Sequence, residues 1–308
     1  MNQKLKSYTA QTYIAYALIA PAALYIILIV AWPLLETIRL SFTNSSLAGE
    51  DYVGLENYQK MFSSKKFNGI VTRTFVWMFF SVSLKLIIGL IGAVLLNANL
   101  KGRSIFRVLV MPPWVVPIAI GMLGWLWLYN GYFGIIAGVG MRTGILDGPF
   151  GFLAYKQSAF ISTIIADVWV GTPMVTVFFL AAMQGVPRDL YEAAYCDGAS
   201  RWDRFFKITL PLITPGIISG ALFAFVTSFD EIVVILFVAG GDRNLTTIPL
   251  QMWTGLREQL SPTIMAVATC LIILSTLILI VTELLRRRSE RISCLLYTSD
   301  AADEHTGV

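Results

Sequence analysis

The chain is short of charge. Only 14% of its 308 residues are Asp, Glu, Lys or Arg, against about 25% in ordinary soluble domains. With 56% hydrophobic residues and a mean hydropathy of +0.70, it cannot cover itself with polar surface, and a polytopic membrane protein is the expected class. The single histidine, His305, leaves almost nothing from which to build a His-based metal site or catalytic triad. Cys196, Cys270 and Cys294 form neither an even disulfide framework nor a metal-ligand spacing. There is no G-x-x-x-x-G-K-[ST] run to cradle nucleotide phosphates, and no H-E-x-x-H, paired C-x-x-C or G-x-S-x-G. A net charge of +4 is too small to argue for nucleic acid.

What is present is a series of long apolar runs. Crossing about 30 Å of hydrocarbon takes about 20 apolar residues. Six segments qualify: 13–33, 75–96, 108–129, 159–183, 216–238 and 263–285. The first is longer than a signal-peptide core of about 7–15 residues and is read as a retained helix. Lys4 and Lys6, then Lys101, Arg103 and Arg107, then Arg188, Arg201, Arg204 and Lys207, then the Arg286–Arg288 cluster fall in alternate connections. The excess of basic residues there places both termini, and the connection between spans four and five, in the cytoplasm. Outside, residues 34–72 form a long polar loop with turn signals at Asn44–Ser46 and Asp51–Gly54. Residues 130–158 are too rich in glycine for a lipid-facing helix and suit a re-entrant or surface element.

The connection 184–214 reads as two short helices. Pro187 suits a first helical turn, and Asp189 and Glu192 place negative charge near that positive end. Leu190, Ala193 and Ala194 recur at i, i+3 and i+4. Gly198 fits a left-handed stop. Ser200 with Asp203 resembles a capping box, and Trp202, Phe205 and Phe206 give the second helix an apolar side. Pro211 and Pro215 end it. Physics alone leaves two roles open: a helix lying on the membrane surface, or a handle for a soluble partner.

The spacing of Glu192, Ala193, Ala194 and Gly198, followed by Ile208, Leu210 and Pro211, resembles the coupling loop of permease subunits of binding-protein-dependent ABC importers. The resemblance extends over about residues 10–290. Up to about Pro215 it is of carbohydrate type, through Pro21-Ala22, Val53-Gly54-Leu55-Glu56-Asn57-Tyr58 and Met111-Pro112-Pro113-Trp114. From about Phe225 it is of polyamine type, through Ser228-Phe229-Asp230-Glu231 and Ile248-Pro249-Leu250-Gln251-Met252-Trp253, with Gly240-Gly241-Asp242 where carbohydrate permeases usually carry Gly-Gly-Pro. The resemblance implies an all-α, six-helix type I importer fold: an N-terminal part (1–69), a five-helix core (70–286) and a tail (287–308). It implies a coupling role for Glu192, Ala193, Ala194, Asp197, Gly198, Ile208, Leu210 and Pro211. It also implies a cytoplasmic ATPase dimer that hydrolyses the ATP, a second and usually different permease subunit, and a periplasmic or lipid-anchored solute-binding protein. No cofactor is expected on this chain. The implied cargo is a sugar, polyol or glycerol phosphate, with a polyamine as the alternative. Residues 292–308 turn polar and acidic, resemble a translated sequencing-adapter read-through, and are assigned no function.

Ionisable residues inside spans cost about 2.5–3.5 kcal/mol or more when bare. Lys85, Asp167, Asp230 and Glu231 are therefore the candidates for the translocation path. Lys85 is expected at similar depth to Asp230 and Glu231, so that a pair with one of them is possible. Pro112, Pro113 and Pro117 should kink the third span. Trp125, Trp127 and Tyr129 suit an outer aromatic belt, and Gly216 and Gly220 a close helix crossing. Asp167, Asp230 or Glu231 could instead serve a membrane enzyme, and the buried charges a channel or secondary carrier; neither accounts for the partner-docking loop. Membrane-impermeant labels should reach the 184–214 loop from the cytoplasmic face alone; labelling from the outer face would overturn this orientation.

Overall fold

The computed structural model describes residues 2–44, 51–98, 101–240, 245–258 and 262–304. Among these the chain is helical, apart from an isolated bridge between Thr43 and Tyr52. Four helices are long and apolar enough to cross a membrane: Thr12–Leu40, Lys65–Asn97 (α4), Lys156–Gln184 (α9) and Pro262–Leu284, the last belonging to α16, Pro262–Glu304. Two bent pairs raise the total to six, which agrees with the expected number of spans.

Proline decides where the helices bend. The third span is α5 (Arg103–Val110) and α6 (Pro112–Val115), followed by α7 (Ile118–Leu128), with a bend of 96°. Val116, forced out of the helical region by Pro117, has ψ 132° and makes the break. In the fifth, the arm Arg201–Leu212 meets α13 (Thr214–Phe229) at 67°. Pro215 cannot donate to the carbonyl of Pro211 one turn back. Two prolines leave a milder mark. The π turns Ile26–Ala31 and Phe205–Thr209 each end two residues before a proline, Pro33 and Pro211. A proline ring presses on the carbonyl four residues back, here Ile29 and Lys207. Widening the turn relieves that contact, and Trp32 N–H then bonds Ile27 O while Leu210 N–H bonds Phe205 O.

Two expectations need correcting. The fifth span does not run unbroken over 216–238: α13 ends at Phe229, and α14, Val233–Val238, begins after a non-helical step at Asp230–Ile232. Tyr129 is not part of an interfacial belt. It is buried, its hydroxyl donates to Ser162 O at 2.9 Å, and its ring packs on Trp125 and Phe152; only Trp127 of the three stands fully exposed. The glycine-rich stretch forms a surface element as expected, with one short helix, α8, at Ile135–Arg142. The last helix runs past 285, because no Gly or Pro interrupts it and Glu283 pairs with Arg286 and Arg287.

The chain divides into two compact units, residues 1–67 with 255–274 and residues 68–254 with 275–308. In the first, buried Asn57 on α3 (Glu56–Ser63) donates to Ser41 O and Thr43 O, and the Ser41 hydroxyl meets Tyr58. This ties off the turn after the first span. In the second, α9 is the hub. Val175, Phe179, Leu180 and Met183 pack with Ala93 and Leu96 of α4 and Ala224 of α13. Close approach depends on missing side chains. A Cβ on Gly220 would lie 2.7 Å from the Phe179 ring, one on Gly89 2.7 Å from Val175, and one on Gly216 would collide with the Ala182 methyl. Gly216 and Gly220 thus serve the close crossing expected of them. Gly216→Val should destabilise the fold by about 1–3 kcal/mol through overpacking, read as a lower thermal midpoint of the detergent-solubilised chain. Gly216→Ala combined with Ala182→Gly should recover most of it, and an unchanged midpoint in Gly216→Val would refute the contact.

Candidate functional site

The first candidate is the elbow. α10, Arg188–Cys196, starts one residue after Pro187, which occupies the cap position rather than the first turn. Its other end is a full Schellman stop: Gly198 sits at φ +76°, Ala199 N–H bonds Ala194 O at 2.9 Å, and Gly198 N–H bonds Tyr195 O at 3.1 Å. Ser200 then caps α11 (Arg201–Arg204) by accepting from Asp203 N–H at 3.1 Å. The Asp203 carboxylate in turn accepts from the Ser200 hydroxyl at 2.5 Å and meets the Ser200 backbone N–H, the reciprocal contact of the capping box that the sequence suggested. Lys207, then Ser200, hold the Asp203 carboxyl down to about 2, so it stays charged at any physiological pH.

The elbow is open to solvent. Glu192, Ala193, Asp197, Gly198 and Pro211 are exposed, and Ala194, Ile208 and Leu210 are half-buried. Its large side chains stand out too: Trp202 is 72% exposed and stacks on the exposed ring of Phe206. The apolar face of α10, Leu190, Ala193 and Ala194, is left largely open. Leu190 and Ala193 are exposed, and Tyr191 shares the more buried side with Ala194. The π turn Phe205–Thr209 and α12, Leu210–Leu212, carry the chain from here to α13.

The second candidate is polar and closed. Lys85 Nζ lies 2.7 Å from Asp167 Oδ2, with side chains 1% and 3% exposed. The ammonium also donates to Ser228 Oγ at 2.8 Å, and the Ser81 hydroxyl donates to the same Asp167 oxygen. Ser81 and Lys85 are one turn apart on α4, Asp167 is on α9 and Ser228 on α13, so a single cluster pins three helices. Room for the lysine stem comes from Gly171, one turn beyond Asp167, where a Cβ would lie 2.9 Å from Nζ.

This corrects the expected pairing. Lys85 meets neither Asp230 nor Glu231. Glu231 accepts from Val234 N–H at 2.8 Å and caps α14. Asp230, at the C-terminal end of α13, is exposed and opens on a cleft lined by Phe225, Val226, Phe229, Ser275 and Leu279. Of the four path candidates, two thus pair with each other, Glu231 lies within electrostatic reach of both without contacting them, and Asp230 stands apart. Sequence reasoning missed Ser81, Ser228 and Gly171. A partial signal existed: Ser81, Lys85 and Gly89, like Asp167 and Gly171, recur at i+4, marking polar and small stripes on apolar helices. Among the described residues no His, Cys, Asp and Glu group could hold a metal ion.

Removing one partner of a buried pair leaves an uncompensated charge, costing about 3–5 kcal/mol. Lys85→Met should therefore sharply lower membrane abundance. Lys85→Met combined with Asp167→Leu should restore much of it, as measured by quantitative immunoblotting of membranes. Normal abundance of the single variant would show that the pair does not hold the helices.

The similarities of the chain agree with this geometry. Residues 85–291, which include the elbow and all members of the polar cluster except Ser81, match the family model of the binding-protein-dependent transport system inner membrane component. The chain is 34% identical over 254 residues to the trehalose/maltose transport system permease protein MalF of Thermococcus litoralis, covering 82% of this chain and 85% of that one. It is 30% identical over 243 residues to the sulfoquinovosyl glycerol transport system permease protein SmoG of Agrobacterium fabrum, covering 78% of each. Its fold superposes with a TM-score of 0.78, at 18% identity, on a chain of a bacterial ABC transporter involved in the import of the acidic polysaccharide alginate, covering 92% of this chain and 99% of that chain. Neither named relative bears a polyamine in its name. A helical chain with four long apolar helices and two bent pairs that bring the span count up to six, a capped and exposed elbow that continues into the second pair, and a family match across two thirds of its length belongs to the inner membrane components of binding-protein-dependent transport systems, as a multi-pass permease with the type I importer fold.

Proposed function

We propose that this permease subunit forms part of the path for a sugar, polyol or glycerol-phosphate solute, and that its elbow docks a separate cytoplasmic ATPase. The observation that carries the docking role is the exposed α10 ending in a glycine-dependent stop. Small residues at 193 and 194 let another surface approach closely, and Glu192 and Asp197 offer it charge. The energy then comes from that partner, since the sequence contains no phosphate-cradling loop of its own. The remaining partners follow from the same reading: a second permease subunit, usually a different chain, and an extracytoplasmic solute-binding protein. The relatives named for trehalose, maltose and sulfoquinovosyl glycerol support a hydroxyl-rich cargo.

The intramembrane charges fit that cargo. Lys85 neutralises Asp167 inside the bundle, and Glu231 is engaged at a helix start. Asp230, in its cleft beside the stacked rings of Phe225 and Phe229, is the carboxylate best placed to meet a solute. The Lys85–Asp167 pair acts alongside it as the clamp that fixes the path helices.

Gly198 supplies the test. Nothing lies within 4 Å of a Cβ added there, so a substitution acts through backbone strain alone, about 1–2 kcal/mol for an L-residue in this conformation. Asn tolerates that region better than Ala, and a β-branched residue worst. Uptake of labelled trehalose and disaccharide analogues should fall in the order Gly198→Asn, Gly198→Ala, Gly198→Val, at constant permease abundance and with ATP hydrolysis by the complex persisting. Wild-type uptake in a normally abundant Gly198→Val variant would end the coupling assignment.

A further inference from the structure

The elbow is more than a turn between two helices. Its covalent link, Asp197 to Ser200, runs through a left-handed glycine with no side chain around it. The Schellman bonds fix Gly198 and Ala199 to α10, which leaves the step from Ala199 to Ser200 as the swivel at which a push on α10 would turn without moving α13. Two contacts bridge the swivel. The Tyr191 hydroxyl lies 3.0 Å from Thr209 Oγ1, and the Arg204 guanidinium lies over the Tyr195 ring at 5.7 Å. Tyr191 and Tyr195 are one turn apart on α10. Arg204 and Thr209 are one π turn apart on the outgoing arm, so the two helices are braced at two separated points rather than one.

The π turn is what makes the brace fit. Thr209 is buried, and its hydroxyl donates to the carbonyl of Arg204, five residues back, at 3.3 Å. Tyr191 O–H, Thr209 O–H and Arg204 C=O then form one donor chain, which joins α10 to the wide turn that Pro211 imposes. An α-helical register would place residue 209 about 100° around the axis for each residue of shift, away from Tyr191. We infer that Tyr191 and Thr209 are positioning residues that lock α10 to the Phe205–Leu212 arm, so that the elbow moves as a rigid lever and passes the ATPase stroke to α13. This rests on the docking role proposed above. It adds that transmission depends on a hydroxyl pair outside the docking surface.

The test uses the full chain, assembled with its ATPase and second permease in lipid nanodiscs. Amide hydrogen exchange over 188–196 and 214–229 is compared between the nucleotide-free and the ATP–vanadate states. In the wild type both segments should change exchange. In Tyr191→Phe and Thr209→Val, each of which removes one hydroxyl, α10 should still respond while the response of α13 falls roughly fivefold, the scale one hydrogen bond governs. The double variant should be no worse than either single one, since both break the same link. Thr209→Ser keeps the hydroxyl and should respond as the wild type does. A merely structural role predicts instead equal loosening of α13 in both states, and that result overturns the inference. So does a full α13 response in Tyr191→Phe. Loss of the ATPase from either variant would also overturn it, by moving these residues into the docking surface. A wild-type complex that never holds an ATPase would sink the docking role itself, a separate outcome.

Discussion

In hydrocarbon every backbone donor and acceptor needs an internal partner, because no water is there to replace one. This chain meets that constraint with twelve prolines, each of which removes a donor. The repairs are visible along the chain. Before Pro33 and Pro211 the turn widens into a π segment, whereas Pro21 and Pro173 sit within continuous α-helix. Where prolines cluster, the span breaks outright, as at Val116–Pro117. Where a helix restarts, a side chain supplies the missing acceptor: Glu231 for Val234 N–H, and Thr74 for Ile248 N–H at the start of α15, Ile248–Glu258.

These breaks place the functional groups. The bend between the 201–212 arm and α13 turns the chain from the exposed elbow into the bundle. The stop at Phe229 ends α13 with Asp230 facing a cleft, not buried in a continuous helix. Between these two ends, α13 touches α9 through Gly216 and Gly220 and offers Ser228 to Lys85. One helix therefore connects the elbow proposed to dock the ATPase, the close-packed crossing, and the buried charge cluster. A rigid input at one end is useful only if the crossing slides as a unit, and the tight glycine contacts favour motion of whole helices over deformation within them.

Much of the elbow was legible from the chain alone, since its signals are local: a proline before the helix, a glycine after it, and Ser200 with Asp203 three residues on. The six spans were legible for the same reason, as hydrophobic runs of sufficient length. The partner of Lys85 was not. Depth counted along straight, continuous spans put Lys85 level with Asp230 and Glu231, but the fifth span ends at Phe229 and the lysine instead crosses Gly171 to reach Asp167 on another helix. Tyr129 was misread because an aromatic at a span end suits an interface by composition; only packing against Trp125 and Phe152 shows it to be core. Gly240-Gly241-Asp242 lies largely outside the described residues. The turn at Asn44–Ser46 likewise has only Asn44 within them.

What the order of residues determined by itself is whatever depends on near neighbours: length and apolarity of the spans, breaks at prolines, the left-handed stop at Gly198, and the family motif laid over it. What only the tertiary structure decided is which distant side chains meet. The ion pair between Lys85 and Asp167, its two serines, and the hydroxyl link between Tyr191 and Thr209 each depend on the crossing of separate helices. That crossing is set by where side chains are small enough to let backbones approach, a property of two surfaces together that no single stretch of chain carries.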